Sequence, residues 1–201
     1  MLVIAAAAVD EGVAELARSL GELGPTLLLS PDGTAPPGMN AASADLSSAD
    51  GAGRDWLAVE EEHGPAEVLV TLPSPVPSPT KVGDVTDGLW SACLRDNLFV
   101  AANAARAAAP AMMDRGFGRI AMVTWWLDDP AGYVAPAAAC GATRHLARTL
   151  ASEVGEQGVT VNAVSVVPGR LSDAAPAIRL LCSSDGGFVT SEGLTPVGRL
   201  V

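Results

Sequence analysis

The residue types that could do chemistry concentrate where one short apolar run ends and an Ala-rich helix begins. Further polar side chains are expected to reach the same place from neighbouring elements. The candidate catalytic residues are Asp128, Asp129, Tyr133 and Cys140. The candidate ligand-binding residues are Trp125, Trp126, Asn97 and Ser74. Ligands of open parallel sheets bind outside the carboxyl ends of the strands, so we expect these side chains to meet at one sheet edge.

The two adjacent tryptophans allow two interpretations. Trp125 and Trp126 could wall an aromatic pocket that carries carboxylates on its rim. Such a pocket would suit binding, or acid–base conversion, of a small aromatic or polyketide-like molecule without hydride transfer. The alternative, which we favour, is that the indoles fill space, because large apolar side chains usually serve packing.

Cys140 is expected near the start of a helix that opens at Pro136, where a thiolate is favoured. Neither histidine is placed by the sequence as its base, and a small buried cysteine is the alternative. Arg144 follows one turn later on the same face of the helix. It could bind an anion, pair with Asp128 or Glu153, or remain in solvent.

The elements that position these residues alternate between strand and helix. Apolar runs at residues 118–124 and 158–164 flank the helix expected at 136–156, which is a parallel crossover unit. The remaining expected elements are strands at 2–7, 26–30, 64–70, near 44–46 and near 194–195, and helices at 11–23, 49–63, 85–113 and 176–181. This pattern predicts an α/β fold, a three-layer doubly wound parallel sheet of Rossmann-like type, as one domain over residues 1–201.

Several of these segments resemble the short-chain dehydrogenase/reductase family. The similar segments are Gly118-Arg119-Ile120, residues 147–153, and Val161-Asn162-Ala163-Val164 followed by Pro168-Gly169. The resemblance implies a Ser after the first of these strands and a Tyr-x-x-x-Lys pair on the helix. Those positions hold Trp125, Pro136 and Cys140. The one tyrosine and one lysine, Tyr133 and Lys81, lie 52 positions apart in the wrong order, so no register restores the pair.

The family's phosphate-binding turn, Thr-Gly-x-x-x-Gly-x-Gly, is also expected to be altered. Residues 4–12 keep only Gly12, and Asp10 and Glu11 stand where phosphates would lie. Carboxylates there repel an anion, although Asp10 can equally serve as a helix N-cap. The Asn-Asn-Ala-Gly expected after the fourth strand is Thr-Leu-Pro-Ser at 71–74, and the substrate lid before residue 176 is almost absent. We therefore expect no NAD(P) cofactor and no metal.

Three functions are compatible with this pattern. The first is a cofactor-independent family member that binds or converts a small molecule by cyclisation, elimination or isomerisation, as in secondary metabolism. The second is a non-catalytic subunit that assembles with a paralogue or a pathway enzyme. The third is an atypical NAD(P)-dependent oxidoreductase.

Composition limits the partners. The net charge of -11 argues against nucleic acid and anionic membranes, which require basic patches. Three scattered cysteines indicate reduced thiols rather than a disulfide framework or a zinc site. The first residues carry neither a basic leader nor a long apolar run, so a cytoplasmic location is expected.

Self-association is expected through the two long helices, 85–113 and 136–156. Ala102, Ala105, Ala108 and Ala109 would leave a smooth face on the first helix, suited to close packing between subunits. In the family the equivalent helices form a two-fold interface. A homodimer or homotetramer is therefore expected.

Overall fold

A computed structural model describes residues 1–195, and its framework is a seven-stranded parallel sheet. The strands are β1 (Leu2–Ala6), β2 (Thr26–Ser30), β3 (Asn40–Ser43), β4 (Val68–Leu72), β5 (Gly118–Trp125), β6 (Val159–Val166) and β7 (Gly193–Leu194). Their spatial order is β3-β2-β1-β4-β5-β6-β7. The order reverses between β1 and β4, which creates the crevice where ligands of doubly wound sheets bind. The predicted Rossmann-like fold is confirmed.

Six α-helices of residues 1–195 flank the sheet. They are α1 (Glu11–Ser19), α2 (Ala49–His63), α3 (Asp87–Cys93), α4 (Val100–Arg115), α5 (Val134–Val154) and α6 (Ala175–Cys182). A π-helical segment, Leu94–Phe99, joins α3 to α4, so the two form one long helix with a local irregularity. Short 3-10 turns follow α1 and α5 and precede α3 and α6. No helix of residues 1–195 is long and apolar enough to cross a membrane.

Helices on both faces bury the four central strands completely. Every residue of β1, β4, β5 and β6 is buried, as is typical of the interior of a parallel sheet. Alternate side chains enter two separate cores: Val3 and Ala5 pack with α2, α4 and α5, while Leu2 and Ile4 pack with α1 and α6. This two-sided burial fixes where each strand ends, and hence which side chains emerge at the carboxyl edge.

Several predicted boundaries were wrong. The edge strand was expected to end at residues 44–46, but β3 ends earlier, at Ser43. Its half-exposed Asn-Ala-Ala-Ser sequence carries little hydrophobic signal. The helix expected to start at Pro136 starts two residues earlier, at Val134. Cys140 consequently lies in the second turn of α5, beyond the free N–H groups that would favour a thiolate. The strand β5 includes Trp125, which had been placed in the following loop.

The expected smooth alanine face of the 85–113 helix is not exposed. Ala105, Ala108 and Ala109 are buried inside the chain, where they let α4 approach the sheet closely. Ala102 is half-buried. The apolar side chains that remain accessible on these elements are larger: Phe99 is 46 % and Val134 is 37 % exposed.

Candidate functional site

The first cleft at the carboxyl edge lies above β1, at the start of α1. It has a volume of about 390 Å³ and is bordered by Asp10, Gly12, Glu15, Trp125 and Leu171, with the Pro73–Val76 and Pro168–Gly169 segments completing the wall. Asp10 is the N-cap of α1, and its Oδ1 accepts a hydrogen bond from the Val13 N–H at 2.9 Å. One of the N–H groups that a bound anion would use is therefore already taken by a carboxylate.

The charge of this cleft is negative. Asp10 and Glu15 line it, and among residues 1–195 no Lys or Arg does so. Glu11, in the first turn of the same helix, forms an exposed ion pair with Arg18 at 3.0 Å. A helix N-terminus normally favours anions, but here the adjacent side chains oppose them.

Trp125 lies in the middle of the carboxyl edge of the sheet and belongs to a cluster of hydrogen bonds. Its side chain is only 8 % exposed, and its Nε1–H donates to the Ser74 carbonyl oxygen at 2.7 Å. Asn97 holds Ser74 from the other side: its Oδ1 accepts from the Ser74 N–H at 3.1 Å, and its Nδ2 donates to the Ser74 hydroxyl at 2.9 Å. The same Nδ2 donates to the Cys93 carbonyl at 2.8 Å. This cluster ties the end of β4, the end of β5 and the π-helical segment together.

Trp126 points to a second cavity, of about 430 Å³. Its indole is 44 % exposed, and its Nε1–H donates to Asp128 at 2.8 Å. Asp129 and Tyr133 also line this cavity, opposite a wall formed by Val76–Pro79 and the Val167–Pro168 segment. Apolar, aromatic and carboxylate groups thus face one open space, which is the composition of a small-molecule site.

The loop that forms the outer wall carries a proline at every second position. These are Pro73, Pro75, Pro77 and Pro79. The Thr80 N–H donates to the Gly132 carbonyl at 2.7 Å and joins this loop to the segment before α5. The contact brings the stretch that contains Lys81 close to the one that contains Tyr133, but within residues 1–195 no hydrogen bond links the two side chains.

A third, smaller cavity of about 150 Å³ lies between the two tryptophans and α5. Cys140 and Arg144 line it together with Leu127, Pro130 and Ala137. Arg144 forms neither of the ion pairs considered from the sequence, and within residues 1–195 it has no carboxylate partner within 4.0 Å. Gly141 leaves space beside it: a Cβ at that position would lie 4.0 Å from the Arg144 Nη2.

The three thiols are buried and are disfavoured as nucleophiles. Burial raises the pKa of Cys140, and hydrogen bonding from the Trp125 backbone and the charge of Arg144 offset this only in part. Burial raises the pKa of Cys93, with a smaller contribution from Asp96. Burial raises the pKa of Cys182 to about 12. A reactive cysteine requires the opposite shift, so the environment of Cys140 is that of a packing residue.

The eight residues singled out in the sequence thus divide into three groups at one edge. Trp126, Asp128, Asp129 and Tyr133 share the 430 Å³ cavity. Ser74, Asn97 and Trp125 form the hydrogen-bonded cluster. Cys140 borders the small cavity. Within residues 1–195, no three or more His, Cys, Asp or Glu side chains are grouped to hold a metal ion.

Two parts of the site were not anticipated. The wall at Val76–Pro79 is not among the residues singled out from the sequence, although alternating prolines are typical of a stiff, extended segment. The Thr124 and Ser165 hydroxyls form a buried hydrogen bond of 2.9 Å between β5 and β6. No spacing in the sequence pairs these two residues, because their contact depends on strand register.

This chain is similar to known proteins in both sequence and structure. Residues 3–175 match the family model described as short chain dehydrogenase. The curated relatives include the 3-oxoacyl-[acyl-carrier-protein] reductases MabA of Mycobacterium bovis and Mycobacterium tuberculosis, each 29 % identical over 136 residues, or 65 % of this chain. The MabA protein of Mycobacterium avium is equally similar. The chain spans about half the length of these relatives, 52 to 53 %.

Solved structures show the same fold at low sequence identity. A protein provisionally described as a 3-oxoacyl-reductase from Bacillus thuringiensis superimposes with a TM-score of 0.83 at 18 % identity, covering 100 % of this chain and 97 % of that one. The protein gox2181 superimposes with a TM-score of 0.79 at 16 % identity, covering 97 % of this chain and 93 % of that one.

Proposed function

The chain belongs to the short chain dehydrogenase family, and from that premise we propose that it is a member without hydride-transfer activity, which binds a small molecule in the 430 Å³ cavity beside Trp126. The observation that carries the proposal is the cleft above β1. There the Asp10 carboxylate occupies the N-terminus of α1, and no cationic side chain in the described part of the chain lines the wall.

The charges of this cleft act directly against a dinucleotide. Two unit charges about 4 Å apart interact by about 1 kcal/mol in water and about 4 kcal/mol near a protein surface. A pyrophosphate bound in the cleft would meet the like charges of Asp10 and Glu15, which lowers its affinity. A phosphate would also have to displace Asp10 from the Val13 N–H.

The side chains of a proton relay are also missing from α5. The positions that the resemblance assigns to Tyr and Lys hold Pro136 and Cys140, and both are buried. Tyr133 lies at the N-terminus of the helix, and Lys81 is exposed on the opposite loop. Trp125 fills the space between the ends of β4 and β5. This leaves no evident place for a hydride donor or for its acceptor.

What remains at the edge supports acid–base chemistry or binding alone. Asp128 and Asp129 offer carboxylates to the cavity and Tyr133 offers a hydroxyl, while Trp126 and Val76 give it apolar walls. Carboxylates and phenols can move protons without a cofactor, as cyclisation, elimination and isomerisation require. A small molecule with an apolar body is the ligand class that this lining suits.

A second function, a non-catalytic subunit, is favoured by one observation. Phe99 and Val134 leave apolar surface accessible on the π-helical segment and at the start of α5. Exposed apolar groups on these helices suit a homodimer, a homotetramer or pairing with a paralogue. Co-purification of a second family member in a fixed ratio would favour this function over the first.

The competing function is that of the matched relatives, which are named as reductases. Calorimetric titration of the purified protein with NADH and NADPH separates the two, with an active reductase of the family as the positive control. We expect no saturable binding tighter than about 1 mM, which corresponds to about -4.1 kcal/mol. A micromolar dissociation constant for either dinucleotide would refute the proposal.

A matched pair of variants tests whether charge repulsion excludes the dinucleotide. Asp10→Asn/Glu15→Gln removes the two charges that border the cleft, with asparagine able to keep the N-cap, and Glu61→Gln/Glu62→Gln removes two exposed charges from α2. At low salt only the first variant should strengthen residual NADPH binding. Equal behaviour of the two variants would show that the cleft charges are not what excludes the dinucleotide.

A further inference from the structure

The cationic side chains of this acidic protein are almost all occupied. Four arginines form ion pairs with carboxylates: Arg18, Arg54, Arg95 and Arg170. Four others donate hydrogen bonds to backbone carbonyls: Arg106, Arg115, Arg119 and Arg179. Within residues 1–195, Lys81, Arg144 and Arg148 have neither kind of partner. Lys81 and Arg148 are exposed, whereas Arg144 is half-buried and lines a cavity.

A half-buried guanidinium without a partner has lost part of its hydration and gained nothing from the protein in return. The cavity beside Arg144 is small, about 150 Å³, and its other walls are the indoles of Trp125 and Trp126 with Leu127, Pro130 and Ala137. These walls supply apolar contact and no carboxylate. Asp128, on the loop that follows the two tryptophans, is already engaged by the Trp126 Nε1–H at 2.8 Å.

From this arrangement we infer that the small cavity is an anion subsite, in which Arg144 binds the carboxylate of a small organic acid. The guanidinium presents parallel N–H donors that match both oxygens of a carboxylate. A single positive charge neutralises a monoanion but not a phosphate dianion, which would need further donors that the walls do not offer. The volume admits a short aliphatic acid, or the acid end of a longer molecule.

The inference rests on the proposed function and sharpens it, because the 430 Å³ and 150 Å³ cavities share Trp126 and Leu127 as walls. A molecule with a carboxylate at Arg144 would place its body beside Trp126. The ligand class becomes a small carboxylic acid with an apolar or aromatic portion.

The experiment is a titration of the ¹⁵N-labelled protein with sodium acetate and sodium pyruvate at constant ionic strength, followed through the tryptophan indole N–H resonances. Trp125 and Trp126 should shift in a saturable manner. Trp56, a residue of α2 that is buried in the core, is the internal control and should not shift. Acetamide, which has the same shape without the charge, should produce no saturable shift, and inorganic phosphate should bind more weakly than acetate.

Arg148 supplies the matched control variant, since it lies one turn beyond Arg144 on the same helix and is exposed. Arg144→Gln should weaken acetate binding at least tenfold, Arg144→Lys should retain part of it, and Arg148→Gln should leave it unchanged. The indole spectra of the unliganded variants report whether each is folded. Unchanged affinity in Arg144→Gln, tighter binding of phosphate, or no saturable shift in the unmodified protein overturns the inference.

The two proposals fail in different ways. Absence of acetate binding together with absence of NAD(P)H binding removes the anion subsite and leaves the non-redox function intact. Micromolar binding of NAD(P)H removes the proposed function whatever acetate does.

Discussion

Replacement of the two adjacent tryptophans offers a direct test of how the carboxyl edge is built. Trp125 is 8 % exposed and its indole N–H is bonded to a backbone carbonyl, whereas Trp126 is 44 % exposed and its indole N–H is bonded to an exposed carboxylate. The residues are neighbours in sequence and identical in type. Only their surroundings differ, so each serves as the control for the other.

The expected costs follow from these surroundings. Trp125→Ala removes a buried aromatic side chain, and such changes lower the free energy of unfolding by about 3–5 kcal/mol. Trp125→Phe keeps most of the apolar contact but leaves the Ser74 carbonyl without its donor, at a cost of about 1–3 kcal/mol. Trp126→Phe should stay within about 0.5 kcal/mol, because water can replace its exposed hydrogen bond.

Urea denaturation followed by far-ultraviolet circular dichroism measures these differences, and thermal melts provide a second readout. For a chain of this size each kcal/mol corresponds to about 2–4 °C in Tm. If Trp125→Ala were as mild as Trp126→Phe, Trp125 would not be a packing residue. The space that it fills would then be available to a ligand, and the argument against a nicotinamide at this position would fail.

Three further outcomes are expected. Asp10→Ala should lower the free energy of unfolding by about 1 kcal/mol through loss of the N-cap, while Asp10→Ser should retain most of it; equal losses measured in urea would contradict the capping role. The pKa of Cys182 is raised to about 12, so its stabilising effect is complete below the ordinary thiol pKa of about 9 and is lost as pH rises towards 12. The free energy of unfolding should therefore fall less steeply between about pH 9 and 11 in Cys182→Ala than in the unmodified protein, and parallel slopes would contradict this. Phe99→Asp should convert a dimer or tetramer into monomers in size-exclusion chromatography with light scattering; an unmodified protein that is already monomeric would contradict the expected assembly.

The sequence predicted the fold well where its hydrophobic pattern was strong. The strands β1, β2, β5 and β6 were recognised within a few residues, because each is a run of buried side chains with a turn signal at its end. The edge strand β3 was misplaced because it is half-exposed, and its neighbours Ala44 and Leu46 are more apolar than the strand itself. The π-helical segment has no sequence periodicity of its own and was included in one long helix.

The site was predicted as a set of residues but not as an arrangement. Which of two adjacent tryptophans is buried depends on where β5 ends, and a shift of one residue exchanges their directions. The expectation that α4 exposes an alanine face was wrong for a related reason: a helix rich in alanine is apolar on every side, so its sequence does not say which side meets the sheet. That Arg144 has no carboxylate partner in the described part of the chain depends on the positions of all other charged side chains, and only the folded chain defines these.

The alternating prolines opposite Trp126 have a thermodynamic consequence. Pro73, Pro75, Pro77 and Pro79 have fixed φ angles, and the Thr80–Gly132 hydrogen bond anchors the far end of their loop. A wall restrained in this way loses little conformational entropy when a ligand binds. It therefore contributes to affinity without an ordering cost. Selectivity among ligands should then depend on how well each fits a preformed cavity. Ligand association should need no slow rearrangement of the loop.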